Sequence, residues 1–117
     1  MIALRTELKV VVYSQPVDFR CGINSLSALV AEALESNPYC GDVFIFRSKR
    51  KDRLKLLAWD GSGMVLVTKW LEAGGFTWPP ATAGKVEIGP EQMAVLVAGL
   101  DWTRVAGVPV KRPTKVG

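Results

Sequence analysis

The chain has 117 residues, which is enough for one domain with a real core and too few for two. Hydrophobic residues make up 49% of it, which argues against wholesale disorder, and its formal net charge is +4. Histidine is absent, which removes the commonest general base and the commonest zinc ligand together.

A strand and a helix open the chain. Residues 8–13 are rich in valine and predict a strand. Asp18 is then the predicted N-cap of a helix, because its carboxylate can accept backbone N–H groups of the first turn. Apolar residues recur at three- and four-residue steps from Phe19 to Leu34, and Pro38 lies just beyond the helix that they predict.

Two residues in the first turn of this helix need an explanation. Glycine costs about 1 kcal/mol against alanine in a helix, so we expect Gly22 to permit close backbone packing against a sheet. A cation at this end of a helix opposes the helix dipole, as Arg20 would. Arg20 therefore either forms a salt bridge to a nearby acid or contacts a nucleic-acid phosphate.

The middle of the chain predicts three strands joined by two tight turns. The strands span residues 42–47, 54–59 and 64–70, which are rich in β-branched and aromatic residues. Residues 48–53 are too polar and charged to be buried and predict a hairpin turn. Residues 60–63 begin with Asp-Gly, a pair that tolerates the positive φ angles of hairpin turns.

The first of these turns, with its flanks, carries half of the basic residues of the predicted domain. Its only acid is Asp52, and the net charge of residues 47–55 is +5. Its six basic residues are Arg47, Lys49, Arg50, Lys51, Arg53 and Lys55. Residues 103–117 carry +4, so the remaining body carries −5. This segregation points to a polyanionic partner or an acidic protein surface, and a solvated turn with a solvated tail is the alternative.

The rest of the chain predicts two short strands, a second helix and a tail. The strands lie at residues 76–78 and 86–88, and the helix opens at Gly89-Pro90. Strands followed by a helix predict an α+β fold, an antiparallel meander of about five to six strands with the two helices on one face. We expect one domain over residues 1–104 and a flexible basic tail over residues 105–117.

The sequence also supports predictions about the faces of the sheet, the two cysteines and the cellular location of the protein. The strands at 43–46 and 64–67 are apolar on both faces, so helices or a partner subunit must cover the second face, and a homodimer is possible. Cys21 and Cys40 have no CxxC spacing and predict small buried thiols rather than a disulfide or metal site. No signal-peptide pattern or membrane-length apolar run is present, so we expect a cytoplasmic protein.

Five motifs resemble those of one protein family. Residues 18–22 (DFRCG) are similar to a D-M-R-x-G opening, and residues 41–63 to the most distinctive block of that family. Residues 69–72 (KWLE) resemble K-R-L-E, residues 75–79 (GFTWP) resemble G-x-F-x-W-P, and residues 96–102 (LVAGLDW) resemble L-L-x-G-I-D-W. Together they resemble the TnpB accessory protein of the insertion sequence 66 family of bacterial mobile elements.

The resemblance covers roughly residues 8–103 and implies a role in DNA recombination. It implies an accessory protein of transposition, encoded beside a larger transposase and distinct from the RNA-guided nucleases that share the TnpB name. Phe19 stands where methionine is usual, and Trp70 where arginine is usual. Trp70 removes one cation from the third strand. The motif residues that carry over are Asp18, Gly22, Trp59, Asp60, Gly61, Gly63, Lys69, Glu72 and Trp78.

Three functions stay open. The first is DNA binding, at the ends of the element, through the basic hairpin and Arg20. Contact with five or six phosphates would give a slope of log affinity against log salt of roughly −4 to −5. Trp59 could stack on an unpaired base or pack within the sheet. The second is an adaptor that docks on the transposase, supported by four tryptophans.

The third function is catalysis, which we do not expect. Six carboxylates could in principle hold a metal for phosphoryl transfer, but most lie at expected cap or turn positions. They are Asp18, Asp42, Asp52, Asp60, Glu72 and Asp101. Serine or cysteine nucleophiles would lack a histidine base. No catalytic residue, metal or cofactor is therefore predicted.

Overall fold

The computed structural model describes residues 8–105, which form five strands, two helices and two short 3₁₀ turns. The strands are β1 Val10–Pro16, β2 Val43–Arg47, β3 Arg53–Trp59, β4 Met64–Trp70 and β5 Lys85–Ile88. The helices are α1 Ile23–Glu32 and α2 Pro90–Val97, and the 3₁₀ turns are Ala81–Ala83 and Trp102–Arg104. The predicted basic tail lies outside the described residues except for Val105.

The strands form one mixed sheet in the order β4-β3-β2-β1-β5. β2, β3 and β4 are antiparallel, as predicted, and β5 is antiparallel to β1. β1 runs parallel to β2, with Val10 beside Val43, so the predicted purely antiparallel sheet is wrong. The physical reason is α1, which carries the chain back across the sheet and so allows a parallel neighbour.

Helix α1 covers one face of the sheet. Its buried residues Leu26 and Val30 pack with Phe44, Phe46 and Leu57 of the central strands. The helix begins later than predicted, with Gly22 as its N-cap residue. Nothing lies within 4 Å of the position that a Cβ of Gly22 would take, so the prediction of close packing at this glycine is also wrong.

Helix α2 covers the opposite face. Leu96 and Trp102 are buried there with Phe76 against the other side of the central strands. The prediction of both helices on one face is therefore wrong. Each side of β2 is covered by a helix of the same chain, which explains why this strand has apolar residues on both faces. The homodimer stays an untested prediction: β2 is covered on both sides, whereas Val67 of β4 is 45% exposed.

Two smaller predictions are also wrong. Residues 76–78 form no strand, because they wrap around the hairpin instead of joining a ladder. Cys21 is half-buried and Cys40 is exposed, and both are free thiols, so neither is the fully buried thiol predicted.

Candidate nucleic-acid interface

The turn between β2 and β3 is held in shape by one buried serine. The hydroxyl of Ser48 donates to the carbonyl of Arg50 at 2.9 Å and accepts the N–H of the same residue at 3.0 Å. Ser48 is only 8% exposed, so these bonds are shielded from water. We call Lys49, Arg50 and Lys51 the basic tip.

A second segment braces the basic tip from the α2 side. The carbonyl of Lys51 accepts the N–H of Phe76 at 2.9 Å and the indole N–H of Trp78 at 3.2 Å. The N–H of Leu71 donates to the carbonyl of Asp52 at 2.9 Å. The turn is thus fixed to residues 71–78, which explains why the tryptophan of the G-x-F-x-W-P motif lies there.

All three side chains of the basic tip are exposed. Arg50 lies 3.5 Å from Asp52, through Nε and Oδ1, while its side chain is 66% exposed. Neither Lys49 nor Lys51 forms a salt bridge with any acid among residues 8–105. The charge of the tip is therefore largely uncompensated and faces solvent.

The two arginines that flank the tip are packed rather than free. Arg53 has its guanidinium 3.9 Å from the ring centroid of Trp70 and 3.7 Å from Asp52. The Nε–H of Arg47 donates to the carbonyl of Ser48 at 3.0 Å. Both arginines belong to the predicted DNA-binding set, and the structure places them at the base of the tip.

Lys55 is not on the surface, and its prediction as a DNA-binding residue is corrected. It is 9% exposed, and its ammonium donates to the carbonyls of Phe19 and Cys21, both at 2.8 Å. A buried ammonium needs such acceptors, and these two carbonyls have no helical partner nearby. Lys55 therefore fixes the loop before α1 and cannot reach a phosphate in this conformation.

Arg20 forms a salt bridge to a nearby acid, which was one of the two explanations offered for its position. Its guanidinium binds both carboxylate oxygens of Asp18, with Nη2 and Oδ2 2.6 Å apart. Asp18 also accepts the backbone N–H of Arg20, so it closes a turn and is not the predicted helix N-cap. These hydrogen bonds lower the pKa of Asp18 to about 2. Arg20 remains 91% exposed, and contact with a phosphate stays a prediction.

A groove of about 440 Å³ lies between the basic tip and the chain leaving β1. One wall is Pro16 to Phe19, and the other is formed by residues 48–50 and Arg53. The N–H of Val17 donates to the carbonyl of Arg47 at 2.8 Å and holds the two walls together. One wall combines apolar side chains with the carboxylate of Asp18, and the other wall carries three cations. Sequence reasoning missed it because the groove depends on the parallel pairing of β1 with β2.

Comparison with known proteins identifies the family. The family described as IS66 Orf2 like protein, TnpB_IS66, matches residues 8–107. The chain belongs to this family. The resemblance found in the sequence is thus confirmed, and the family indicates an accessory role in transposition of an insertion sequence.

Relatives of this IS66 Orf2-like chain occur in Sinorhizobium fredii (strain NBRC 101917 / NGR234). Uncharacterized protein y4jC is 59% identical over 116 residues, which cover 99% of both chains. Uncharacterized protein y4hO is 43% identical over 100 residues, covering 86% of this chain and 85% of the relative. No solved structure matches the chain.

The Asp-Gly turn of the family block is built as predicted. The carboxylate of Asp60 accepts the N–H groups of Ser62 and Gly63, both at 2.9 Å, which lowers its pKa. Gly61 has φ +103°, a conformation that favours glycine. Trp59 before the turn is half-buried and packs edge-on against Tyr39, at a ring distance of 5.6 Å.

Two further motif residues lie away from the basic tip. Lys69 of β4 donates to the carbonyl of Val97 at 2.7 Å, where a cation complements the negative end of α2. Glu72 is exposed in the turn that follows β4. Lys69 therefore has a structural role, and Glu72 has no side-chain partner among residues 8–105 in the structure.

The six carboxylates considered as metal ligands are spread over the fold. Within residues 8–105, no three or more cysteine or acidic side chains converge on a point that could hold a metal ion. Asp18, Asp60 and Asp101 close local turns. No helix formed by the described residues has the length and apolar character needed to span a membrane.

Proposed function

We propose that this IS66 Orf2-like chain is a non-catalytic accessory protein of transposition that binds the DNA of its element through the basic tip. The observation that supports this most is the exposure of Lys49 and Lys51 without an acidic partner among residues 8–105, on a turn braced by residues 71–78. A braced tip loses little conformational entropy when it contacts a ligand.

The shape of the molecule favours contacts to phosphates over contacts to bases. The basic tip is flanked by the chain that follows β1 on one side and by residues 71–78 on the other. These flanks limit how deeply the turn can enter a groove of duplex DNA. Phosphate contacts set affinity and carry no direct sequence information, so we expect weak sequence preference from the tip.

The structure lowers the expected number of phosphate contacts. Lys55 is buried, Arg47 and Arg53 are packed, and the three residues of the basic tip are therefore the exposed cations of residues 47–55, with Arg50 3.5 Å from Asp52. Three neutralised phosphates give a slope of log affinity against log salt of about −3. That slope is shallower than the value expected from the sequence.

A pair of matched variants tests the proposal. Lys49→Gln with Lys51→Gln removes two charges from the tip, and Lys9→Gln with Arg104→Gln removes two exposed charges elsewhere. Binding to DNA of the element ends and to random DNA is measured for each by fluorescence anisotropy at low salt. We expect at least a roughly tenfold loss for the tip variant and a much smaller loss for its control. Equal losses would contradict binding through the tip.

Docking on the transposase is the second candidate function. Trp70 is 62% exposed, Leu100 is 61% exposed and Tyr39 is 58% exposed, and such residues are common interface anchors. The same two variants separate the functions in a pull-down with the transposase. Loss of DNA binding with an intact pull-down supports the first function, and the reverse result supports the second.

We also propose that the chain has no catalytic activity. Three of the carboxylates accept hydrogen bonds within their own turns, which is a structural use of these groups. Metal-dependent nicking of DNA by the purified chain, abolished in an Asp60→Asn variant, would contradict it.

A further inference from the structure

Strand β4 forms an edge of the sheet that is open along its whole length. Among the described residues 8–105, only β3 pairs with it. The ladder with β3 is regular from Met64 to Trp70, and the strand contains no proline. Its one charged residue, Lys69, donates to Val97 and does not guard the edge. Natural proteins usually protect such an edge with charge, proline or a bulge.

The opposite edge of the sheet is protected in this way. Strand β5 has only four residues, of which Lys85 and Glu87 are exposed, and Glu87 is its free charge because the ammonium of Lys85 donates to the carbonyl of Leu34 at 2.8 Å. Glu87 pairs with Lys9 at 3.5 Å. The difference between the two edges indicates that β4 is the edge kept free for pairing.

The hydrogen bonds at the two ends of the β3–β4 ladder show which backbone groups are free. The N–H of Asp60 donates to Gly63 at 3.0 Å, and that of Leu71 donates to Asp52 at 2.9 Å. Hydrogen-bonded pairs alternate along an antiparallel ladder. By this alternation Val65, Val67 and Lys69 direct their backbone groups toward β3. The backbone groups that point outward belong to Met64, Leu66, Thr68 and Trp70.

We propose that β4 pairs with β4 of a second copy of this chain, antiparallel, about a two-fold axis at Val67. In this register Leu66 lies opposite Thr68 of the second copy, and Met64 lies opposite Trp70. All four outward-facing residues then exchange hydrogen bonds with one another, and none is left unpaired. A register centred one residue away in either direction leaves part of this set unmatched.

The side chains of β4 fit the same arrangement. Val67 is 45% exposed, and two copies of it meet at the axis, where β-branched pairs stabilise a sheet. Trp70 is 62% exposed and gains cover from Met64 of the other copy. No free charge of β4 opposes itself across the axis, because Lys69 is turned onto Val97. An isologous contact of this kind closes as a dimer, whereas pairing of β4 with β5 would extend without limit.

Two variants test this dimer in the full chain. Val67→Lys places two like charges at the axis, and Val67→Thr is its control because it keeps the β-branched shape. Thr68→Pro removes an outward N–H while sparing the ladder with β3, as proline is tolerated on that side of an edge strand. We expect wild type and Val67→Thr to sediment as dimers. We expect Val67→Lys and Thr68→Pro each to raise the dimer dissociation constant by a factor of at least about ten. The circular dichroism spectra of both variants should match that of wild type.

Amide hydrogen exchange identifies the surface directly. We expect the outward amides of Leu66 and Thr68 to exchange slowly in wild type and quickly in Val67→Lys, with the inward amide of Val65 protected in both. A wild-type chain that is monomeric at tens of micromolar overturns the proposal. So does a dimer that survives both variants, or protection of the outward amides in a monomer, which would mean that another segment of the chain covers β4.

Discussion

Lys55 shows how a single buried cation fixes the entry to α1. Its ammonium is the donor for the carbonyls of Phe19 and Cys21. In Lys55→Met both carbonyls lose that donor, and we expect the free energy of unfolding to fall by about 1–3 kcal/mol in urea denaturation. Lys49→Met is the control, with an expected change within about 0.5 kcal/mol because Lys49 is exposed. A stable Lys55→Met with weakened DNA binding would show that our correction of Lys55 is wrong.

The pairing of Asp18 with Arg20 predicts how the stability of the fold depends on pH. The pKa of Asp18 falls from 3.8 to about 2, chiefly because the Arg20 side chain and then its backbone N–H donate to the carboxylate. A carboxyl with a lowered folded pKa stabilises the fold above pH 3.8, and this contribution is lost as pH falls through about 2. Carbon-detected NMR titration should find the low pKa in wild type and a higher one in Arg20→Ala.

The control for this titration lies in the turn at residue 101. The pKa of Asp101 is lowered mainly by hydrogen bonds from Thr103, with Arg104 contributing less. Arg104→Ala should therefore leave most of that shift in place. A pKa of Asp18 that does not move in Arg20→Ala would contradict the role of the guanidinium.

At the scale of the element, the brace behind the basic tip depends on a glycine. A Cβ at Gly75 would lie 3.0 Å from the Cβ of Lys51 and 3.4 Å from its carbonyl oxygen. Gly75→Ala must therefore shift the brace or the tip, and we expect a loss of about 1–3 kcal/mol in thermal or chemical denaturation. Gly63→Ala is the control, since its Cβ would meet nothing within 4 Å. Equal stability of the two variants would show that the brace is not tightly packed.

Elements set by local sequence were predictable, and those set by distant contacts were not. The Asp60–Gly63 turn, the three central strands and the opening of α2 follow from residue preferences and lie where predicted. The parallel pairing of β1 depends on how α1 returns across the sheet, which no local pattern encodes. Residues 76–78 have the composition of a strand, but the carbonyl of Lys51 takes the N–H of Phe76.

At the scale of the whole molecule, the positive charge of the candidate site could be predicted from the sequence, but its shape could not. The six cations of residues 47–55 are evident in the sequence, whereas the burial of Lys55 and the stacking of Arg53 on Trp70 depend on the tertiary fold. The groove beside the tip likewise needs β1 next to β2. Net charge alone therefore overestimates how many of these cations are exposed.

The two proposals together predict bivalent DNA binding. Pairing of β4 about Val67 places the two basic tips on the order of 30 Å apart, given about 3.4 Å per residue and about 4.8 Å between strands. That distance is close to one turn of duplex DNA, so a long duplex can contact both tips and a duplex under about 10 bp only one. Val67→Lys should weaken binding to the long duplex and leave the short one unchanged. Equal weakening on both would contradict bivalency.

If the exposed basic tip binds phosphates, the affinity of the chain for DNA must depend on salt, and a titration on a short duplex measures this most directly. For wild type we expect a slope of log affinity against log salt of about −3, and for Lys49→Gln with Lys51→Gln a slope of about −1. The control with Lys9→Gln and Arg104→Gln should keep the wild-type slope. A wild-type affinity that does not depend on salt, or a tip variant with an unchanged slope, would contradict binding of phosphates by the tip.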